Sequence, residues 1–376
     1  MFTVLSVCVG MGLAHVGTST MPFQIGALMD GSHRTASEAG LFGFFQVGAL
    51  ALGMILISAT IDRIPPRRIA WLSCLLVAAA YTGLYYLHSF PLQIAGAVVA
   101  GLGYGLAFSA AITGAAAAAE PDRLYAIGNG GALLIIIGLI SVLPLASAHL
   151  GALGIFAALA VLPVICAPFL AGLEPGRRSQ EVELPLAAWR TPGAPGLLFT
   201  WMAFSLGTAA LYAFSERIGI SIHLRPEQIA LVLSAGVFVG LIGTAVAALL
   251  GSRVNRGRAL LIALCGNGLS CLLLGFATNL VLFAAGVFAY WIFYMFVYSY
   301  LLGTAAVLDP AGRVGTLGGG LERLGYALGA GIGGVLAQHA SYSSTGVLGF
   351  CACLLGPAVG FPSLLRALAA KRNDFQ

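Results

Sequence analysis

Charged residues are scarce in this sequence, because Asp, Glu, Lys and Arg together make up only 8% of its 376 residues. A soluble domain usually carries about one quarter charged residues, so this scarcity excludes an ordinary water-soluble protein. Hydrophobic residues make up 59% of the chain, and the mean hydropathy is +0.97. We therefore expect an integral membrane protein.

The signatures of nucleotide, metal and hydrolytic chemistry are missing as well. The sequence contains no phosphate-binding loop, nucleotide fold, nucleophile elbow or metal-ligand cluster, which leaves ATP-driven pumping and hydrolysis without support. The seven cysteines all fall within apolar stretches, and an odd number there indicates packing residues rather than a disulfide framework. We expect no enzyme activity, no metal and no cofactor.

Long apolar stretches, separated by short polar breaks, follow one another along the whole chain. A helix needs about 20 apolar residues to cross the hydrocarbon core, and runs such as Gly131–Leu143 lack the alternation of a β-barrel strand. The sequence predicts an all-α integral membrane fold with twelve transmembrane helices. The predicted helices are 2–29, 38–61, 69–88, 91–118, 124–147, 152–173, 196–220, 227–251, 259–277, 280–308, 314–338 and 345–367.

The two halves of the chain match each other at a constant offset of 190 residues. His33 meets His223, Gly53 meets Gly243, and loop arginines and glycines meet in the same register. Such rare residues would not coincide so often by chance, so the pattern indicates two six-helix repeats. The predicted domains are an N-terminal six-helix bundle (1–173), a cytoplasmic linker (174–195), a C-terminal six-helix bundle (196–367) and a cytoplasmic tail (368–376).

Basic residues lie almost entirely in one set of the predicted loops, which holds fourteen of them, whereas the opposite set holds only Arg34 and Arg225. The positive-inside rule then places both termini and the linker in the cytoplasm. The net charge of +5 is explained by this topology, so no nucleic-acid partner is expected. No removed signal peptide is expected either. We predict a multi-pass protein of the inner (plasma) membrane, surrounded by lipid and monomeric.

A basic motif follows the second predicted helix and recurs in the matching loop of the second half. The two copies read Asp62-Arg63-Ile64-Pro65-Pro66-Arg67-Arg68 and Ser252-Arg253-Val254-Asn255-Arg256-Gly257-Arg258. This pattern resembles the major facilitator superfamily (MFS), whose cytoplasmic loop between helices 2 and 3 carries Gly-x-x-x-Asp-Arg-x-Gly-x-Arg-Arg. Ser58 and Pro65 stand in place of the two family glycines, and the second copy has Ser252 in place of the acid.

The resemblance covers the whole chain and implies a secondary transporter that works by alternating access. It also implies that Asp62, Arg63, Arg67, Arg68 and Arg253 act as a cytoplasmic gate, in which ion pairs hold two helix bundles together in one state. The alternative is that these arginines only set the topology. The helix-5 glycine pattern common in drug/proton antiporters is missing, which argues against a multidrug exporter.

Two Glu-Arg pairs are predicted to lie within membrane helices, at Glu216-Arg217 and Glu322-Arg323. A charge at bilayer depth costs at least ~2.5–3.5 kcal/mol, so such residues are candidates for function. Adjacent helical side chains point about 100° apart, so we expect each charge to pair with another helix, in one cross-helix cluster. Arg217 and Arg323 would bind an anionic group, and Glu216 or Glu322 would carry a coupling proton. The alternative is a pair of structural ion pairs.

Aromatic and polar residues within the predicted spans complete the set of candidates. Tyr290, Tyr294 and Tyr298 recur at every fourth position and share one helix face, which suits stacking on a planar substrate. The candidate substrate contacts outside the charged pairs are His15, Gln46, Asn129, Trp291, Tyr294 and Tyr298. Each has a structural alternative, such as a buried neutral histidine or amides that cross-link helices.

Glycines repeat at every fourth position on two predicted helices, at Gly101 and Gly105 and again at Gly325, Gly329 and Gly333. These ridges predict faces of close helix packing.

The sequence thus predicts a secondary transporter for a small organic solute, probed best as an organic anion such as a mono- or aromatic carboxylate, with protons as the coupling ion. An MFS exporter of amphipathic or drug-like compounds is the alternative. A non-transporting membrane receptor or enzyme is a remote one, because no His, Asp or Glu cluster occurs at one interface.

Overall fold

The computed structural model describes residues 2–58, 63–116, 121–173, 185–251, 253–309 and 312–373. Within these ranges the chain forms α-helices and two short 3-10 helices, with no β-strand. The predicted all-α class is therefore confirmed. The seven cysteines are all free, as the sequence predicted.

The first half of the chain contains seven α-helices. They are α1 (Phe2–Ser19), α2 (Met21–Gly31), α3 (Ala36–Ser58), α4 (Pro66–Tyr86), α5 (Phe90–Ala116), α6 (Pro121–Leu150) and α7 (Gly154–Cys166), which a 3-10 turn at Ala167–Gly172 extends. The single helix predicted at 2–29 is divided at Thr20. Pro22 explains the break, because it has no N–H to donate and its ring clashes with the carbonyl of the preceding turn.

The second half also contains seven α-helices, preceded by a 3-10 turn at Pro185–Arg190. They are α8 (Ala194–Tyr212), α9 (Ser215–Ser221), α10 (Pro226–Leu250), α11 (Arg256–Gly275), α12 (Leu280–Leu308), α13 (Arg313–His339) and α14 (Tyr342–Asn373). The helix predicted at 196–220 is divided between α8 and α9, so the long first helix of each repeat is broken towards its end.

Eleven helical segments in the described ranges are long and apolar enough to cross a membrane. The helix outside this set is α13, whose 27 residues include Glu322, Arg323 and many glycines. At about 1.5 Å per residue α13 is about 40 Å long, which suffices to cross a bilayer. The twelfth crossing and the cytoplasmic termini stay predictions.

Contacts between Cα atoms divide the chain into two compact units. The N-unit comprises Met1–Gln180 and Pro226–Ser234, and the C-unit comprises Glu181–Arg225 and Ala235–Gln376. The first turns of α10 thus sort with the N-unit by their contacts. The predicted domain boundaries stay a prediction.

The duplication is visible in the backbone as well as in the sequence. Among the described residues other than glycine, only His33 and His223 have positive φ angles, of 52° and 60°. They lie 190 residues apart, and each follows the end of a short helix by two residues. A left-handed conformation is uncommon for a residue with a Cβ atom, so its recurrence in register marks one turn geometry used twice.

Glycines bring neighbouring helices close together, and in two places they do so in the same register. A Cβ atom on Gly53 would lie 2.8 Å from the carbonyl oxygen of Leu102, and one on Gly243 would collide with the carbonyl oxygen of Ile292. Both members of the second pair lie 190 residues beyond the first. Each repeat therefore packs its second and fourth predicted helices at the same point.

The two predicted glycine ridges are confirmed as close-packing faces. In the N-unit, Gly101 and Gly105 on α5 face the carbonyls of Gln46 and Leu50 on α3. In the C-unit, three glycines of α13 face three carbonyls of α8. These contacts are Gly325 with Met202, Gly329 with Leu206 and Gly333 with Ala210. Small residues permit such an approach because no side chain separates the two backbones.

We expect Gly329→Ala to lower stability, because its Cβ atom would collide with the carbonyl oxygen of Leu206. Overpacking of this kind costs about 1–3 kcal/mol. The matched control is Gly319→Ala on the same helix, where a Cβ atom meets nothing within 4 Å. This control should be neutral or stabilising by up to about 1 kcal/mol, since alanine favours the helix. Thermal unfolding in detergent measures both, and equal melting temperatures would contradict the packing argument.

We also expect α13 to cross the membrane, which single cysteines at its two ends can test. Thr316 and Ser341 are both exposed and lie near opposite ends of the helix. In intact cells an impermeant maleimide should label Ser341→Cys but not Thr316→Cys, and permeabilised cells should be labelled at both. The unsubstituted chain reports the background of the native cysteines. Labelling of both positions in intact cells would contradict the crossing.

Candidate substrate site

Three tyrosines of α12 form a continuous stack, which we call the tyrosine ladder. The ring centroids of Tyr290 and Tyr294 are 5.7 Å apart, and those of Tyr294 and Tyr298 are 6.4 Å apart. Their planes differ by 17° and 7°. A spacing of four residues places successive side chains on one helix face, so the stack follows directly from the sequence pattern.

The rings of α8 pack against this ladder. Tyr212 stacks on Tyr290 at 6.0 Å, and Phe204 stacks on Tyr294 at 5.2 Å. Trp201 meets Tyr298 edge to face at 6.0 Å. Tyr290 is buried, whereas Tyr294 and Tyr298 are partly exposed. The ladder is thus supported from behind by α8 and keeps two rings accessible to a planar ligand.

The charged pair of α13 lies beside the exposed end of the ladder. Glu322 and Arg323 have exposed fractions of only 5% and 9%. The Tyr298 hydroxyl hydrogen-bonds to the Glu322 carboxylate, and Arg323 interacts electrostatically with Glu322, Tyr294 and Tyr298. Ser205 on α8 donates a hydrogen bond of 2.7 Å to the Glu322 carbonyl. Four of the predicted site residues (Tyr294, Tyr298, Glu322 and Arg323) therefore meet in one cluster, which we call the ladder cluster.

The pair on α9 behaves differently, and here the prediction was wrong. The Arg217 Nε atom donates to a Glu216 carboxylate oxygen at 2.6 Å, and a second guanidinium nitrogen donates to the other oxygen at 3.2 Å. The argument from side-chain direction considered only where the two side chains begin. The long arginine side chain bends around the helix, and its fork then binds both oxygens of the neighbouring carboxylate.

The expected single cluster of all four charges is also wrong, because the two pairs lie at different levels. The three glycine contacts between α13 and α8 share one sequence separation, so the two helices run parallel in a defined register. In that register Arg217 is level with Ala340, the residue that follows the end of α13. Arg323 is seventeen residues earlier, which is roughly 25 Å along the axis.

The other predicted substrate contacts lie in the N-unit, apart from Trp291. His15 on α1 is partly exposed and meets Phe108 edge to face at 5.6 Å. Asn129 on α6 is exposed, and its amide donates to the Tyr125 carbonyl of the same helix at 3.0 Å. The structure therefore shows both side chains accessible, and neither is consumed by the packing of helices.

Gln46, in contrast, belongs to a buried hydrogen-bond network that links four helices. Its amide donates to Gln24 at 2.9 Å and to the Tyr81 hydroxyl at 3.0 Å. Tyr81 donates to Gln24, and Tyr104 donates to Tyr81, both at 3.0 Å. Gln46 is 1% exposed, so its position matches the alternative role of cross-linking helices. Sequence reasoning missed the two tyrosines, although single polar groups on apolar helices are a usable signal.

Two buried indole groups near the ladder lack hydrogen-bond partners. Among the described residues, the N–H groups of Trp201 and Trp291 meet no acceptor. Trp291 packs edge to face on Tyr212 and Tyr294 at 5.5 and 5.7 Å. A buried donor without a partner costs free energy, so both indoles are available to an acceptor that a ligand would bring. Trp201 was not among the predicted contacts.

The predicted gate residues are described only in part. Arg63, Arg67, Arg68 and Arg253 are exposed, at or near the starts of α4 and α11. Asp62 lies outside the described residues. The ion-pair gate stays a prediction. No group of three or more His, Cys, Asp or Glu side chains in the described part of the chain is placed to hold a metal.

Comparison with known proteins agrees with this architecture. No protein of curated function matches the sequence. Among solved structures, the nucleoside transporter NupG is similar, with a TM-score of 0.76, 10% identity, and coverage of 96% of this chain and 100% of that one. A D-xylose-proton symporter is similar too, with a TM-score of 0.73, 13% identity, and coverage of 94% and 96%. At such low identity these similarities show the fold alone.

The sequence model of the Major Facilitator Superfamily matches residues 7–322, which is most of the chain. That match extends from α1 into α13 and covers both copies of the basic motif. The chain therefore belongs to the major facilitator superfamily of membrane transporters.

Proposed function

We propose that this transporter moves a small organic anion with a planar or aromatic group together with a proton. The observation that carries the proposal is the ladder cluster, in which a buried Glu-Arg pair adjoins a stack of partly exposed tyrosine rings. A guanidinium suits a carboxylate, and a tyrosine stack suits a flat apolar body. One site thus provides a partner for each end of an aromatic or monocarboxylic acid.

Charge balance in the buried cluster supplies a reason for coupling. When Glu322 is ionised it compensates the charge of its neighbour Arg323, and an added carboxylate would be an uncompensated buried anion. When Glu322 is protonated, Arg323 has a net positive charge that an anionic substrate can neutralise. Because isolated charges are costly at this depth, proton and anion are expected to bind together. This scheme predicts electroneutral symport of one proton with one monoanion.

Tyr298 connects the two events in this scheme. Its hydroxyl is hydrogen-bonded to the Glu322 carboxylate and its ring forms the end of the ladder. Protonation of Glu322 weakens that charge-assisted bond and frees the hydroxyl to donate to a substrate carboxylate. A substrate would then be held by Arg323 and Tyr298 at its acidic end, with Tyr294 along its ring.

The contacts favour Arg323 over Arg217 as the anion anchor. Arg217 already binds both carboxylate oxygens of Glu216, so an incoming anion would have to displace a close ion pair. We assign Glu216 and Arg217 to the stability of α9 rather than to substrate and proton binding. His15, Asn129 and Trp291 stay predicted substrate contacts, and Gln46 is a weaker candidate because of its network.

The remaining parts of the proposal follow from family membership and the loop charges. Alternating access would be controlled by the gate of Asp62 with the arginines at 63, 67, 68 and 253. Both termini would be cytoplasmic, in an inner (plasma) membrane protein that works as a monomer. The export of drug-like compounds remains the alternative direction.

We expect Glu322→Gln to separate anion transport from the proton gradient, because the neutral amide mimics the protonated acid permanently. In proteoliposomes, with benzoate and lactate as first probes, the unsubstituted chain should accumulate anion when the pH gradient is imposed. Glu322→Gln should lose at least about tenfold of that accumulation but retain exchange of labelled for unlabelled anion. Glu227→Gln, an exposed carboxylate at the start of α10, is the matched control. Undiminished pH-driven accumulation in Glu322→Gln would overturn the coupling role.

We expect Arg323→Gln to weaken anion binding by roughly tenfold or more, since a hydrogen bond to a charged group contributes about 1.5–3 kcal/mol. Arg217→Gln should leave the affinity within about twofold but lower the melting temperature, because Glu216 loses its partner. Arg366→Gln, on an exposed part of α14, controls for lost charge. Scintillation proximity binding and thermal unfolding separate the effects. Preferential binding of a nucleoside or sugar, unaffected by Arg323→Gln, would sink the anion proposal.

A further inference from the structure

A groove of about 520 Å³ runs between three helices of the C-unit. Its length is lined by Val246 on α10, Ile262 on α11, and Phe293 and Phe296 on α12, while Asn255 and Arg258 lie at one end. We call it the α10–α12 groove. Ile262 is 69% exposed, and all three helices are long and apolar enough to cross a membrane. This face is therefore expected to meet acyl chains, which are as apolar as its lining.

The end of the groove is strongly basic. Arg253, Arg256 and Arg258 occur within six residues at the start of α11, and the sequence has no Asp or Glu between Glu227 and Asp309. Within the described part of the chain no ion pair joins these arginines to a carboxylate. Arg256 lies against Gly303 of α12, and Arg258 lines the groove itself. Positive charge is thus concentrated where the apolar lining ends.

The duplication makes this charge specific to the second repeat. Arg253 and Arg258 match Arg63 and Arg68 of the first repeat, but Ser252 stands where the first copy has Asp62. The first loop therefore has an acid to balance part of its charge, and the second has none. The start of α11 adds the partial positive charge of a helix N-terminus, although the Asn255 side chain already caps the Arg258 amide at 3.0 Å.

We propose that the α10–α12 groove is a binding site for an anionic phospholipid. One acyl chain lies along the groove, and the phosphate lies at Arg258 with Arg253 nearby. Guanidinium groups bind phosphate through paired donors, whereas the uncharged lining suits a hydrocarbon chain. Acyl chains gain little on leaving the bilayer, so the charged end decides which lipid is bound. The preferred ligand is one with a net negative headgroup.

Native mass spectrometry of the purified protein, titrated with phosphatidylglycerol or with phosphatidylcholine of the same chains, tests this site. The unsubstituted chain should bind phosphatidylglycerol more tightly. Each of Arg253→Gln and Arg258→Gln should weaken phosphatidylglycerol binding roughly fivefold, as expected for one basic residue at a lipid surface. Arg366→Gln removes the same charge from an exposed position of α14 and should leave this binding event unchanged.

Val246→Trp fills the groove and retains all three arginines. It should reduce the binding of both lipids, while size-exclusion chromatography and the melting temperature report that the protein remains folded. Equal losses from Arg258→Gln and Arg366→Gln would mean general charge attraction and would overturn the site. Undiminished binding in Val246→Trp, or equal affinity for the two lipids, would overturn the groove or the headgroup preference respectively.

Discussion

The close approach of α13 to α8 is the contact on which the candidate site depends. Gly325, Gly329 and Gly333 let the two backbones meet, and the register they set places Glu322 beside Ser205. A side chain at any of these glycines would push α13 outward and carry Glu322 and Arg323 away from Tyr298. Buried charges are tolerated only where partners are within reach, so the small residues and the charged residues of α13 form one device.

The two repeats share a scaffold but differ in what they bury. Both use a left-handed histidine after a short helix and a glycine against a carbonyl at the same register. The N-unit then fills its centre with the neutral network of Gln24, Gln46, Tyr81 and Tyr104, whereas the C-unit buries an ion pair beside aromatic rings. A neutral network of satisfied hydrogen bonds rigidifies its surroundings. A charged pair responds to protonation, and this difference is why we assign the coupling chemistry to the C-unit.

Most of the fold could be predicted from the sequence, because membrane helices are long, apolar and bounded by polar residues. The glycine ridges and the face shared by Tyr290, Tyr294 and Tyr298 followed from helical periodicity alone. The break at Thr20 was missed although Pro22 signals it. The pairing of Glu216 with Arg217 was missed for another reason. Periodicity describes where side chains leave the helix, and it does not describe how far a flexible arginine bends.

By itself the sequence determined the membrane class, the duplication, the family resemblance, and the identity of the few charges within the helices. Each of these depends on composition, spacing or local hydropathy, which need no knowledge of neighbouring helices. Only the tertiary structure decided which polar groups meet. It joined Glu322 and Arg323 to the ladder, placed Arg217 roughly 25 Å away along the axis, and enclosed Gln46 in a network. Those outcomes depend on helix register, which close contacts between distant segments set and no local pattern encodes.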